Sequence, residues 1–130
     1  MEQNQKNSLA AQLGKIISAD STVNQAEEVR NFYKQVIGWE HTEVNMGGYS
    51  DYLMTTPDGQ PVAGVCHQAG GNEGLPPVWL VYFQVSDLQE SLTTCRTLGG
   101  KVLREPSGTG IGSYAVIEYP KGAICALSQM

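Results

Sequence analysis

Thr56–Cys66 reads TPDGQPVAGVC and Tyr119–Met130 reads YPKGAICALSQM. Each is a Pro-x-Gly turn followed by a small, mostly apolar run of strand length. Upstream of each lies a second matched pair: a helical pattern over Asn24–Ile37 closed by Gly38, and another over Asp87–Leu98 closed by Gly99-Gly100. Sliding the sequence by about half its length superposes helix on helix and turn on turn, the mark of an internal duplication. The pattern predicts two copies of a strand–helix–three-strand unit.

The totals bound what such a chain can do. Its 130 residues suffice for one ordinary domain with a real core. A net charge of −5 with only 8 Lys+Arg argues against a nucleic-acid phosphate surface and against an anionic membrane surface. The apolar runs are strand-sized, and the polar start MEQNQKNSLAAQLGK lacks the apolar segment of a secretory signal. Cys66, Cys95 and Cys125 are an odd count without close spacing, each among apolar neighbours, which suits reduced thiols in a cytoplasmic protein.

In order, residues 1–14 form a Gln/Asn-rich tail with a marginal helix around Leu9–Leu13. A first unit covers 15–67, a Gly- and Pro-rich linker 68–77, and a second unit 78–130. Lys15–Val23 alternates as a strand, with Ile17 and Ala19 on one face and Ser18 and Asp20 on the other. Asn24 with Glu27, and Ser86 with Gln89, have capping-box spacing. Ala26, Val29, Phe32, Tyr33, Val36 and Ile37 make an apolar stripe on the first helix, and Leu88, Leu92, Cys95 and Leu98 one on the second. Burial of Phe32, Val36, Leu92 and Leu98 is therefore expected. Strands follow at Trp39–Asn45, Tyr49–Thr56 and Gln60–His67, then at Val78–Val85, Lys101–Arg104, Ser113–Tyr119 and Ala123–Ser128.

Asn31-Phe32-Tyr33, Ile37-Gly38-Trp39, Val85-Ser86-Asp87-Leu88, Leu98-Gly99-Gly100 and the turn Tyr119-Pro120-Lys121-Gly122-Ala123 together resemble the vicinal oxygen chelate superfamily. That group contains glyoxalase I, bleomycin-resistance proteins and extradiol dioxygenases. The resemblance runs from about Lys15 to Leu127 and implies an α+β fold, two tandem βαβββ units forming a cup-shaped, mostly antiparallel sheet. It also implies a divalent metal held by His, Glu or Gln from the first and last strands of each unit. Counting from the landmarks places those positions at Ser18, Ala63, Leu80 and Ala126, which supply one hydroxyl and no imidazole or carboxylate. Such ions require stronger donors, so neither metal nor other cofactor is expected.

Other candidates weigh lightly. His41 is expected to face solvent and His67 to serve the linker. Gly108, Gly110 and Gly112 lead into a strand, whereas a phosphate cradle wants a helix. The cysteines have no basic neighbour in sequence to activate them. Ser18, Asp20, Tyr52, Tyr82, Tyr114 and Glu118 are expected to point into the cup and line a ligand site, and an inward carboxylate there would be available as an acid or base. The leading expectation is a metal-free binder of a small organic molecule. The alternatives are a lyase, isomerase or dioxygenase-like enzyme of the same superfamily, and an interaction module whose cup is self-filled. Two chains swapping units into a homodimer would be one way to close the cup.

Overall fold

A computed structural model describes residues 10–130. Most of the expected tail, including Leu9, lies outside the described residues; residues 10–12 are helical. The chain is α+β and falls into two compact units, Ser18–Leu80 and Val81–Met130, the latter together with the described residues up to Ile17.

In the first unit, β1 (Ile16–Val23) leads into α1 (Ala26–Ile37), then β2 (Glu40–Asn45), β3 (Ser50–Thr55) and β4 (Pro61–His67). β1 runs parallel to β4, while β3 is antiparallel to both β4 and β2. After a single 3₁₀ turn (Gly70–Asn72), β5 (Trp79–Val85) opens the second half, followed by α2 (Leu88–Thr97), β6 (Lys101–Arg104), β7 (Tyr114–Glu118) and β8 (Ile124–Gln129). The pairing repeats: β5 parallel to β8, β7 antiparallel to β8 and β6. Asp20 stands beside Gly64 as Tyr82 stands beside Ala126, which fixes the correspondence between the copies.

Each helix covers one face of its own strands. Under α1, Val23, Ala26, Tyr52, Met54 and Val65 form a core, with Val29, Trp39 and Trp79 packed against it. Under α2 the core is Leu88, Leu92 and Ala115, flanked by Val85, Val102, Ile117 and Leu127.

Three of the four expected core residues are not buried. Leu92 is fully enclosed, but Phe32, Val36 and Leu98 are 57%, 63% and 72% exposed. Successive helical residues lie about 100° apart. Ala26, Val29 and Tyr33 take the strand-facing side of α1, which swings Phe32 to its flank. Leu98 lies past the last turn of α2, where the backbone leaves helical geometry.

The caps also differ from the spacing. α1 starts at Gln25, in left-handed conformation (φ 54°) and without a side-chain cap, so Asn24 does not cap it. α2 is capped not by Ser86 but by the next residue, Asp87, whose carboxylate accepts from the Glu90 backbone N–H at 3.1 Å. Gly38 does end α1 as expected, at φ 93° with its N–H on the Lys34 carbonyl.

Candidate functional site

Strand parity decides which side chains oppose the helices. Val23 and Val65 face α1, so Ser18 and Asp20 face away, together with Gly64 and Cys66. Gly64 is there for space. A Cβ built on it would stand 2.5 Å from Asp20 Oδ1. Burial, with Asp20 and Asp51 nearby, pushes the Cys66 thiol up to about 12, so it is no nucleophile near neutrality. The buried Asp51 accepts from the His67 backbone N–H at 2.9 Å.

One expected metal position needs correcting. Ala63 faces α1, because the β3–β4 register slips between Met54 and Thr55 and leaves Val62 as an extra residue. Counting forward from the turn therefore lands one residue short, and Gly64 takes the place matching Ala126. The revised set, Ser18, Gly64, Leu80 and Ala126, still offers a single hydroxyl. Among the described residues no group of three or more His, Cys, Asp or Glu is arranged to hold a metal. The donor chemistry does not fit a divalent ion.

In the second unit, Tyr82, Tyr114 and Glu118 lie opposite α2, since Ala115, Ile117 and Leu127 pack under it. The rings of Tyr82 and Tyr114 are 5.4 Å apart. The Arg104 guanidinium sits 4.2 Å from the Tyr114 ring centre, and its Nη1 donates to the Tyr114 carbonyl at 3.4 Å. Glu118 lies 3.9 Å from the Lys101 ammonium.

Arg104 went unread in the sequence. Simple alternation gives it the face of Val102, under α2. A second slip, between Val102 and Arg104, makes Leu103 the extra residue and turns Arg104 onto the face of Val116 and Tyr114.

Tyr52 is the expected site residue that parity places elsewhere. It faces α1, 5% exposed, inside a polar cluster. Arg30 lies 4.6 Å from its ring centre, and the rings of His41 and His67 are 5.6 and 6.1 Å away. His67 Nε2 meets Glu27 Oε1 at 3.2 Å, so it does more than edge the linker. His41 does not simply face solvent: its Nδ1 is buried without a hydrogen-bond partner. Burial first, then the charges of Lys34 and Arg30, lowers the His41 pKa. Its own backbone hydrogen bond, then His67, lowers that of Glu27.

The family model for the Glyoxalase/Bleomycin resistance protein/Dioxygenase superfamily matches residues 15–125. The anthracycline biosynthesis protein DnrV of Streptomyces peucetius is 34% identical over 110 residues, covering 75% of this chain and 40% of DnrV. The putative glyoxylase CFP32 of Mycobacterium tuberculosis is 26% identical over 117 residues, covering 89% of this chain and 44% of that protein. The chain thus spans less than half the length of these relatives. Among solved structures, methylmalonyl-CoA epimerase of Streptomyces coelicolor superposes with a TM-score of 0.54 at 21% identity, covering 90% of this chain and 97% of the epimerase. The hypothetical protein BH1468 of Bacillus halodurans gives 0.60 at 11% identity, covering 90% and 94%. At such identities these structures speak to the fold alone.

Proposed function

Because the chain belongs to the Glyoxalase/Bleomycin resistance protein/Dioxygenase superfamily, we propose that it binds a small aromatic molecule carrying an anionic group, without a metal, on the strand faces opposite its helices. The observation that carries this reading is the Tyr82–Tyr114–Arg104 group. Two phenol rings 5.4 Å apart give a flat apolar body something to stack on, and a guanidinium beside them suits a carboxylate or phenolate. Glu118 is the polar position beside that group in the second unit, and Ser18 and Asp20 hold the corresponding strand face of the first. Relatives named for anthracycline biosynthesis agree with a small organic ligand. The reading carries with it a cytoplasmic, reducing compartment, which three free thiols suit, and allows pairing of two copies. Among the described residues no helix is long and apolar enough to cross a membrane.

The test is thermal unfolding with hydroxylated aromatic carboxylates such as salicylate and hydroxynaphthoates, with and without a strong chelator. A concentration-dependent rise in Tm that chelator leaves unchanged and Arg104→Ala removes supports the reading. A rise that chelator abolishes overturns it.

A second reading, an isomerase, lyase or dioxygenase-like enzyme, draws on Asp20. Its carboxylate is wedged against Gly64 on the strand face opposite α1, a place for an acid or base. Turnover of a bound compound that Asp20→Asn abolishes while binding persists would favour it.

A further inference from the structure

The strongest unexplained feature of the first unit lies beside α1, on the opposite side of β1 from Ser18 and Asp20. A groove of about 480 Å³ runs between the helix and the strand, walled by Phe32, Tyr33, Trp79 and Pro77, with Glu28 at its edge. Its aromatic walls are held in fixed mutual geometry. Phe32 meets Tyr33 edge-on at 5.1 Å and Tyr33 meets Trp79 at 5.2 Å, while Trp79 Nε1 donates to the Tyr33 hydroxyl at 3.1 Å. Trp39 backs the cluster, 6.0 Å from Trp79.

The charge pattern is equally particular. Among the described lining residues, Glu28 is the one carboxylate, and no Lys, Arg or His joins it. The cations of the same helix are directed elsewhere: Arg30 lies over Tyr52, and Lys34 lies 3.7 Å from Glu40. Phe32, more than half exposed, leaves apolar surface on the groove wall that a guest can cover. Aromatic rings lining a groove with a single carboxylate suit one kind of guest, an apolar cation, which ring quadrupoles attract and a carboxylate neutralises. We infer that this groove is a second ligand site, taking a free small molecule that carries an alkylated ammonium group. This site does not depend on the reading of the strand faces opposite the helices.

Both tryptophans of the chain belong to this cluster, so intrinsic fluorescence reports on it directly. The experiment titrates the full chain with choline and, separately, with its neutral carbon isostere 3,3-dimethylbutan-1-ol, at constant ionic strength. Choline should perturb tryptophan emission saturably, and the isostere should bind about tenfold more weakly, the scale of a desolvated cation–π contact. Glu28→Gln should weaken choline about fivefold through the lost charge. Phe32→Ala should weaken it comparably, and its exposed position keeps that variant folded. Equal affinity for choline and the isostere, or no effect of Glu28→Gln, overturns the proposal in favour of a merely apolar groove. A silent titration overturns it too, as does a dimer that Phe32→Ala dissociates and choline leaves untouched, since a second copy would then occupy the groove.

Discussion

The two units share an element order and a strand register, yet they hold their helices differently. α2 is capped by Asp87 and anchored by Leu88 and Leu92, both essentially inaccessible. α1 begins at a strained Gln25, buries only Ala26 completely, and leaves Phe32, Val36 and Ile37 more than half exposed. Duplication preserved the hydrogen-bonded frame and released the helix faces. A frame of paired strands tolerates that release because its register is fixed by the strands. The difference suggests that α2 serves stability and that α1 is free to present a surface.

Paired truncations test this contrast most strongly. Leu92→Ala should cost about 2–5 kcal/mol, the range for emptying an enclosed leucine site. Phe32→Ala should cost less than about 1 kcal/mol, as at exposed positions. Denaturant midpoints of the two variants measure the gap. Equal losses would mean that α1 is anchored as firmly as α2.

The glycines give the next largest effect. A Cβ at Gly100 would stand 2.6 Å from Cys95 Sγ and 3.1 Å from the carbonyl oxygens of Cys95 and Glu118. Backbone atoms cannot step aside, so Gly100→Ala should cost about 1–3 kcal/mol in equilibrium unfolding. Gly64→Ala meets chiefly the Asp20 carboxylate, a side-chain end that can turn, and should cost less. A larger loss at Gly64 would show that Asp20 is held rigidly.

The helix starts come third. Asp87→Ala removes the capping acceptor and should cost about 0.5–2 kcal/mol. Gln25→Gly should instead stabilise by up to about 1 kcal/mol, since φ 54° strains any residue with a Cβ. Unfolding curves that move in the same direction for both variants would erase the asymmetry between the two helices.

Much of this was legible in advance. The matched Pro-x-Gly turns, the two helical patterns and the glycines behind them located every strand to within about two residues, because turn chemistry and periodicity are local. The strand face of a candidate residue was legible only where alternation was unbroken, as for Asp20, Tyr82 and Tyr114. One extra residue in β4 and one in β6, Val62 and Leu103, moved Ala63 out of the family position and Arg104 into the candidate site. Neither residue type announces a bulge. Tyr52 was misread for a related reason: its face depends on pairing with Val65, a long-range register that its own strand does not encode. The exposure of Phe32 was hidden because an apolar stripe wider than the contact it makes looks the same as one that is fully used.

The smallest expected effect separates the units by pH. His41, on the α1 side of the first unit, packs its ring edge-on against Tyr52, with Lys34, Arg30, Glu40 and Glu43 as its charged neighbours. Burial and the two cations hold its folded-state pKa below the ordinary 6.5. Between those two values the unfolded chain binds more protons than the folded one, so stability rises with pH there and falls as pH drops from 6.5 through the folded-state value. Glu27 also has a lowered pKa, and its contribution is lost only as pH drops below the ordinary 4.5, beneath the range from pH 7.5 to pH 5. Denaturant midpoints taken from pH 7.5 down to pH 5 should therefore decline more in the wild type than in His41→Gln, whose amide carries no titrating charge. Leu92→Val, in the second unit, should shift the whole curve downward without changing its slope. Parallel curves for wild type and His41→Gln would show that the ring takes up its proton as readily folded as unfolded, and that the first unit holds no pH-sensitive contact there.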